Sequence, residues 1–447
     1  MPPSLASRLL FPAGAPPPPP LLASPELTAE VYDVVALGLR AYVSPWWAKL
    51  TRYDRDLLPH VATIVAHVVR VLDARVQAQD LSPLVFHDVP AILTQHYTDH
   101  RNAAAKLNTA YATGGAASLP ILFAGLQPHM ALSPTGAIDR EYYRQIIDRI
   151  LAVTLPEEDW DAEAERILIR EVLVRLLVDD ILPKVTQPWF IQSTLLDLVG
   201  EPPPPLFDPP PAAAFSYHAL VVLALSALQA FSGFCLALID AYKSTLRLVQ
   251  HPPPAPPPEA CTAPSVASVH STTSSVSSAP GTLPVPPSPA PAYAHAPLLL
   301  LGALLAGPTP RLAAAATLHT LHVLAALLTP LLDRLLPAAL AAFLSPARIL
   351  NTVRAGKRAF FPNGYPGPAP PEPTPDEQAT LRARVLALRP PPGVFALLSP
   401  LLLGPDPAAT LAAALDPLSD AQCNLRLAVF LLDRVLVGLF PELAGAP

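Results

Sequence analysis

Residues 64–75 read Ile-Val-Ala-His-Val-Val-Arg-Val-Leu-Asp-Ala-Arg, and their spacing decides the fold class. Ile64, Val65, Val68, Val69 and Leu72 recur at intervals of three and four residues. A chain wound at about 3.6 residues per turn gathers such positions on one face. Outward from this stretch the pattern returns at Ile146, Ile147, Ile150 and Leu151, and again at Ile169, Val172, Leu173, Leu176 and Leu177. No segment alternates with the period of two that a half-buried strand requires, and no repeat of fixed period is present. The predicted fold is all-α.

Composition sets the terms for burying these helices. Of 447 residues, 51% are hydrophobic and 14% charged, against about 25% charged in an average soluble domain. With a mean hydropathy of +0.37, the excess apolar surface needs a large core, a lipid cavity or a membrane. A net charge of -6 excludes the basic footprint that nucleic-acid binding needs, so no nucleic-acid partner is expected. Cys235, Cys261 and Cys423 are too few and too scattered for a disulfide framework, which fits a cytosol-facing location. The start of the chain has one Arg and a short apolar stretch broken by Pro, a poor signal peptide.

Prolines punctuate the chain into five segments. Residues 1–24 are Pro-rich and expected to be disordered. Ser24-Pro25-Glu26 opens a helical region, 25–200, since Ser caps a helix and Pro suits its first turn. Within it, Tyr111 to Gly136 reads as a long loop. Segment 201–250 holds a Pro hinge and the uncharged run Ala219–Ile239, long enough to cross a bilayer. Ser226, Gln229, Gly233 and Asp240 form a small-and-polar stripe along it. Residues 251–297 read as a disordered Pro/Ser linker. Segment 298–447 is helical again, with kinks expected at Pro330 and Pro337. Capping boxes at Thr374–Glu377 and Ser419–Gln422 open two further helices.

The ordered set of motifs in the first half resembles the PXA (PX-associated) domain of sorting-nexin-related proteins. It comprises Tyr42-Val-Ser-Pro-Trp46-Trp47, then Thr51-Arg-Tyr-Asp54, His96-Tyr-Thr-Asp-His100, His129-Met-Ala-Leu132, Leu168-Ile-Arg-Glu171 and Gln187-Pro188-Trp-Phe-Ile191. The second half resembles the C-terminal nexin region, through Asn351-Thr-Val-Arg354, Arg358-Ala-Phe-Phe-Pro-Asn-Gly364 and Leu439-Phe-Pro-Glu-Leu443. The resemblance implies two helical lobes packed around an apolar cavity. It also implies a lipid handler or tether of the endoplasmic reticulum and its contact sites. Larger relatives carry a PX domain where this chain has only the Pro/Ser linker, so phosphoinositide reading by a PX domain does not carry over.

Candidate residues follow from chemistry. Leu223, Leu236, Leu324, Leu328, Leu335 and Leu432 are assigned to an acyl-chain surface. Arg354, Lys357 and Arg358 beside Phe360 and Phe361 suit an anionic headgroup with rings entering the acyl boundary; the alternative is a helix end whose cations complement its dipole. Tyr42, Trp46, Trp47, His96, His100 and Pro188 are read as structural members of the family motif, with an interfacial position for the two indoles as the alternative. His96 and His100 are spaced for a metal but lack a third ligand, so they are read as hydrogen-bonded core groups. The pair His319 and His322, at the same kind of helical spacing, is read as structural or interfacial. No nucleophile elbow or phosphate loop is present, and no enzymatic activity, metal or cofactor is expected. The expected function is non-enzymatic handling of membrane lipids or fatty acids at an organelle membrane, possible partners being trafficking proteins. The alternative is a scaffold embedded through Ala219–Ile239 that carries no lipid.

Overall fold

The structure is a computed structural model that describes residues 5–11, 19–51, 56–109, 117–199, 292–306, 311–367, 371–388 and 394–445. Leu223, Leu236, the run Ala219–Ile239 and the linker up to residue 291 lie outside the described residues. Within them the regular elements are helical, with isolated bridges pairing His129 with Leu132 and Leu132 with Ile138. The first half contributes α1 (Pro25–Gly38), α2 (Ser44–Leu50), α3 (Leu57–Ala78), α4 (Val89–Lys106), α5 (Leu119–Leu126), α6 (Arg140–Thr154), α7 (Glu163–Arg175) and α8 (Pro188–Val199). The second contributes α9 (His295–Leu305), α10 (Leu312–Leu327), α11 (Thr329–Phe343), α12 (Pro346–Phe360), α13 (Pro375–Leu386), α14 (Val394–Leu403), α15 (Pro407–Leu415) and α16 (Ala421–Leu439).

Helix starts follow the side chains that satisfy free backbone N–H groups. Ser24 Oγ accepts from the N–H of Leu27 and Pro25 opens α1. At α13 the full capping box forms, Thr374 accepting from Glu377 N–H while the Glu377 carboxylate takes the Thr374 N–H at 2.7 Å. The second expected box is corrected: Asp420, not Ser419, caps α16, its Oδ1 accepting from the N–H groups of Gln422 and Cys423. A carboxylate suits the positive helix end better than a hydroxyl. The long loop expected over 111–136 is also corrected, because Leu119–Leu126 is helical. Pro120 sits in its first turn, where no N–H is needed, and Phe123 is fully buried.

The two helical halves share a core. Tyr143, Ile147 and Leu151 of α6 meet Val174 of α7, the following Val178 and Leu182, and Leu425 and Val429 of α16 in one buried cluster. At least 243 residues of sequence, Leu182 to Leu425, separate the two sides of this contact. Helix α3 lies between that cluster and a second one: Ile64 and Val68 pack against the first, while Ala62 and Ala66 belong to the second with Tyr32, Ala36 and Leu39. Helix α9 packs on α4, α12 on α1, and α13 on α8, so each contact again joins the two halves. The described residues of both halves belong to one compact unit.

Polar groups fix the register of this docking. Arg426, buried on α16, donates to the carbonyls of Gln127 (3.0 Å) and Ser133 (2.7 Å). Asn424 Nδ2 donates to Thr186 O and Leu418 O, both at 2.9 Å. Tyr142 OH and His129 Nε2 both approach Asp433 Oδ2, at 2.7 and 2.8 Å. Outside the core, Arg75 pairs with Glu442 at 2.8 Å and Arg434 with Asp88 at 2.6 Å. The exposed pairs contribute little each. The buried donors matter more, because undocking exposes some groups and leaving others buried without partners costs about 1–3 kcal/mol per group.

All four tryptophans lie in the first half, which permits a direct test of the shared core. Leu425→Ala, in the second half, is expected to destabilise the protein by about 2–5 kcal/mol. The full chain should then unfold in urea with the tryptophan fluorescence transition shifted as a whole. A tryptophan transition unmoved by Leu425→Ala would show that the halves fold separately.

Candidate membrane-facing surface

Helix α10 leaves much of its apolar surface uncovered, and α11 half-buries its leucines while its Phe343 stays exposed. Between them they bury only Ala314. Leu327 is 73% exposed and Phe343 57%, and Leu312, Val323 and Leu324 are also exposed. Helix α10 carries no charged residue, and Asp333 and Arg334 are the charges of α11. Its threonines do not wet the surface either, since Thr317 and Thr320 turn their hydroxyls back onto the carbonyls of Ala313 and Thr317, both at 2.7 Å. An apolar expanse of this kind marks an interaction surface.

The two helices meet at Leu328 with a bend of 91°. Pro330, in the first turn of α11, lacks the N–H that would continue α10. Pro337 was expected to interrupt the run as well, but α11 passes through it unbroken. Together the pair is long and apolar enough to cross a membrane, yet it is bent at its middle. One straight helix, α3, also reaches that length and hydropathy. Its Ala62 and Ala66 are buried, one face packs between two core clusters, and its Arg75 is paired with Glu442.

Of the predicted acyl-surface residues, Leu324 is exposed and Leu328 and Leu335 are half-buried on this helix pair. Leu432 is corrected: it packs against the shared core beside Val429. The predicted headgroup cluster is divided in the same way. Arg354 Nε meets Glu30 Oε1 at 2.9 Å, and Lys357 binds Glu30 and Asp33 of α1. Those two cations hold α12 to α1, and they draw the Glu30 carboxyl below its ordinary value. Arg358 is exposed, Phe360 is 72% exposed and Phe361 half-buried. Arg348 lies 5.1 Å over the ring of Phe343 and brings a cation to the apolar edge.

A second aromatic group lies where the end of α12 meets the first half. Arg40 sits in a π-helical turn, Leu39–Val43, that widens the chain between α1 and α2. Its guanidinium hydrogen-bonds Gly364 O and stacks 4.4 Å from the centroid of Tyr365. Gly364 has φ +74°, and a Cβ there would come within 3.2 Å of the guanidinium, so the contact demands glycine. The structural reading of Tyr42 and Trp46 does not make them core residues. Tyr42 is 65% and Trp46 46% exposed, and no residue of α2 is buried. Trp47 is half-buried, edge-on to Trp46 at 5.5 Å. Among the described residues none covers the second face of the short α2, which periodicity alone does not reveal.

His96 and His100 are buried on α4, as read from the sequence, with their rings 6.5 Å apart. His96 Nε2 lies 3.0 Å from Pro417 O, a carbonyl of the second half. Burial lowers the His96 pKa to about 4 and depresses His100 as well, so both are neutral at pH 7. No group of three His, Cys, Asp or Glu side chains suited to a metal occurs among the described residues. Pro188 opens α8. His322 Nδ1 lies 2.9 Å from Leu318 O in its own helix, while His319 is exposed. Burial raises the Cys423 thiol to about 12, which keeps it protonated.

Comparison with known proteins matches residues 24–198 to the PXA domain. Over these residues, 175 of the 447, the chain is similar to the PXA domain. PXA domain protein 1 of Schizosaccharomyces pombe is 25% identical over 148 residues, which span 33% of this chain and 29% of that relative. No solved structure matches.

The buried histidine has a pH signature. Unfolded, His96 takes up a proton near 6.5; folded, it resists until about 4. The protein should therefore lose stability as pH falls from 6.5 to 4, by on the order of 3 kcal/mol for this residue. Urea denaturation at stepped pH checks this, with a flatter profile expected for His96→Gln. A profile equally steep in that variant would place the acid sensitivity elsewhere.

Proposed function

We propose that this chain, similar to the PXA domain over residues 24–198, is a non-enzymatic lipid-binding protein of an endomembrane. It works at the cytosolic face of an organelle membrane such as the endoplasmic reticulum, and binds acyl chains to tether or transfer lipid. The observation that carries this reading is the uncovered apolar surface of α10 and α11.

The mechanism is desolvation. Burying a leucine or phenylalanine side chain in an apolar phase yields about 1.5–3 kcal/mol. Leu312, Leu327 and Phe343 are already exposed, so they enter acyl chains without rearrangement of the core. A pair bent at 91° favours lying within the interface over crossing it straight. Phe360 with Arg358, and Trp46 with Tyr42, have the chemistry of the headgroup boundary, where amphipathic rings and cations are favoured. Arg354 and Lys357 are already paired with Glu30, and so contribute to the fold in this reading. The rival is a scaffold held in the bilayer that carries no lipid; the span-like length of the α10–α11 pair is what favours it.

Liposome flotation of the full chain tests the proposal, using neutral and anionic vesicles. Leu327→Asp and Phe343→Asp should each lower vesicle binding by about tenfold or more, with urea stability unchanged because both side chains are exposed. Arg354→Ala should lower stability and leave vesicle binding little altered. Vesicle binding unaffected by both aspartates would remove α10 and α11 as the lipid surface. Resistance of the cell-derived protein to alkaline carbonate would favour the embedded scaffold.

A further inference from the structure

The outward face of α7 carries an apolar row that the core does not use. The inner face is covered: Val174 is buried, and Ile169 and the following Leu177 pack against the cluster that holds α6. On the other side Leu168 is 61% exposed and Val172 49%, and Leu176, one turn further on, is exposed as well. The N–H of Leu176 donates to Val172 O, so the helical phase runs unbroken through all three. Steps of four residues then align them on one face. Single exposed leucines are ordinary, but a row of apolar side chains marks a contact surface.

The charges of α7 divide in the same way. Toward α6, Arg170 meets Asp148 at 3.4 Å and Glu171 meets Arg144 at 2.9 Å, while Arg166 lies 4.4 Å from the centroid of the Trp160 ring. Glu165 and Arg175 are exposed and have no ion-pair partner among the described residues. Glu165, Leu168, Val172 and Arg175 follow at intervals of three, four and three, the spacing of a coiled-coil seam. The helix dipole favours an acid in the first turn and a base in the last. It does not require both to stand in line with the apolar row. Among the exposed charges of α7 and the π-helical turn after it, Leu176–Ile181, Arg175 stands against Glu163, Glu165, Asp179 and Asp180. That balance lacks the basic excess that an anionic membrane attracts, and it favours a protein partner.

We propose that this face binds the same face of a second copy of the chain, antiparallel, in a weak two-fold dimer. Antiparallel pairing of the seam sets Leu168 of one copy against Val172 of the other, and Glu165 against Arg175. The two-fold axis repeats each contact, so the free charges of both copies are matched. At the ends of the seam Leu176 falls over the exposed Ala164, large against small. Parallel pairing would set Glu165 against Glu165 and Arg175 against Arg175, and repulsion disfavours it. So short a seam stays below the roughly 1,200 Å² that stable interfaces bury, which makes the dimer concentration-dependent. The proposal is independent of the membrane surface on α10 and α11.

Sedimentation velocity over a micromolar concentration series tests it, on the full chain carrying Leu327→Asp and Phe343→Asp to remove association through α10 and α11. The expected result is a reversible monomer–dimer equilibrium. Val172→Glu should abolish the dimer and leave urea stability unchanged, because the side chain is exposed. Glu165→Arg should weaken the dimer by about fivefold, since two exposed pairs turn repulsive. Adding Arg175→Glu to that variant should restore it, each charge again facing its opposite. A chain monomeric throughout the series would overturn the proposal. A dimer unmoved by Val172→Glu, or a charge swap without rescue, would do the same. Lowered urea stability of Val172→Glu would also overturn it, because the face would then be covered within the chain itself.

Discussion

The rest of the structure depends on the burial of α16 against helices drawn from the first 200 residues. Leu425 and Val429 complete a core otherwise built by Tyr143, Ile147, Leu151 and Val174. Without them that cluster would face water on one side. The same helix brings Arg426 onto the carbonyls of Gln127 and Ser133, and Asn424 onto Thr186 O, groups that a segment lacking its partner could satisfy only with water. Docking across so long a stretch of intervening chain pays a loop-closure entropy that grows only slowly with length. One apolar seam with a few oriented polar contacts is enough to offset it.

From this constraint follows what is left uncovered. The first half and α16 use each other's apolar faces, and α9, α12 and α13 each find a partner in the first half. Helices α10 and α11 do not obtain equivalent cover from the described residues: Leu312, Leu324, Leu327 and Phe343 remain open and the leucines of α11 are half-buried. The chain's apolar excess therefore divides between a shared core and a surface. Desolvation drives both, through folding in one case and through acyl contact in the proposed function in the other.

Much of the helical framework was legible from local rules. Ile64, Val68 and their neighbours announced α3, Ser24-Pro25 the start of α1, and Thr374 with Glu377 the start of α13. The failures came where partners distant in sequence decide the outcome. Arg354 and Lys357 look like a headgroup cluster until Glu30 and Asp33 are brought opposite them. Trp46 looks like an anchor of the core until no residue of α2 proves to be buried. Leu432 reads as one more apolar lining residue, and only the docking of α16 assigns it to the core. The Asp420 cap was within reach: an acidic residue next to Ser419 offered the stronger acceptor.

Amide hydrogen exchange of the intact chain tests the shared core most directly. If α16 completes the fold of the first half, the amides of Ala421–Leu439 and of Arg140–Thr154 should exchange only through global unfolding, and with the same free energy. Protection of Arg140–Thr154 that persists while Ala421–Leu439 exchanges freely would contradict the account, since the first half would then hold its core alone.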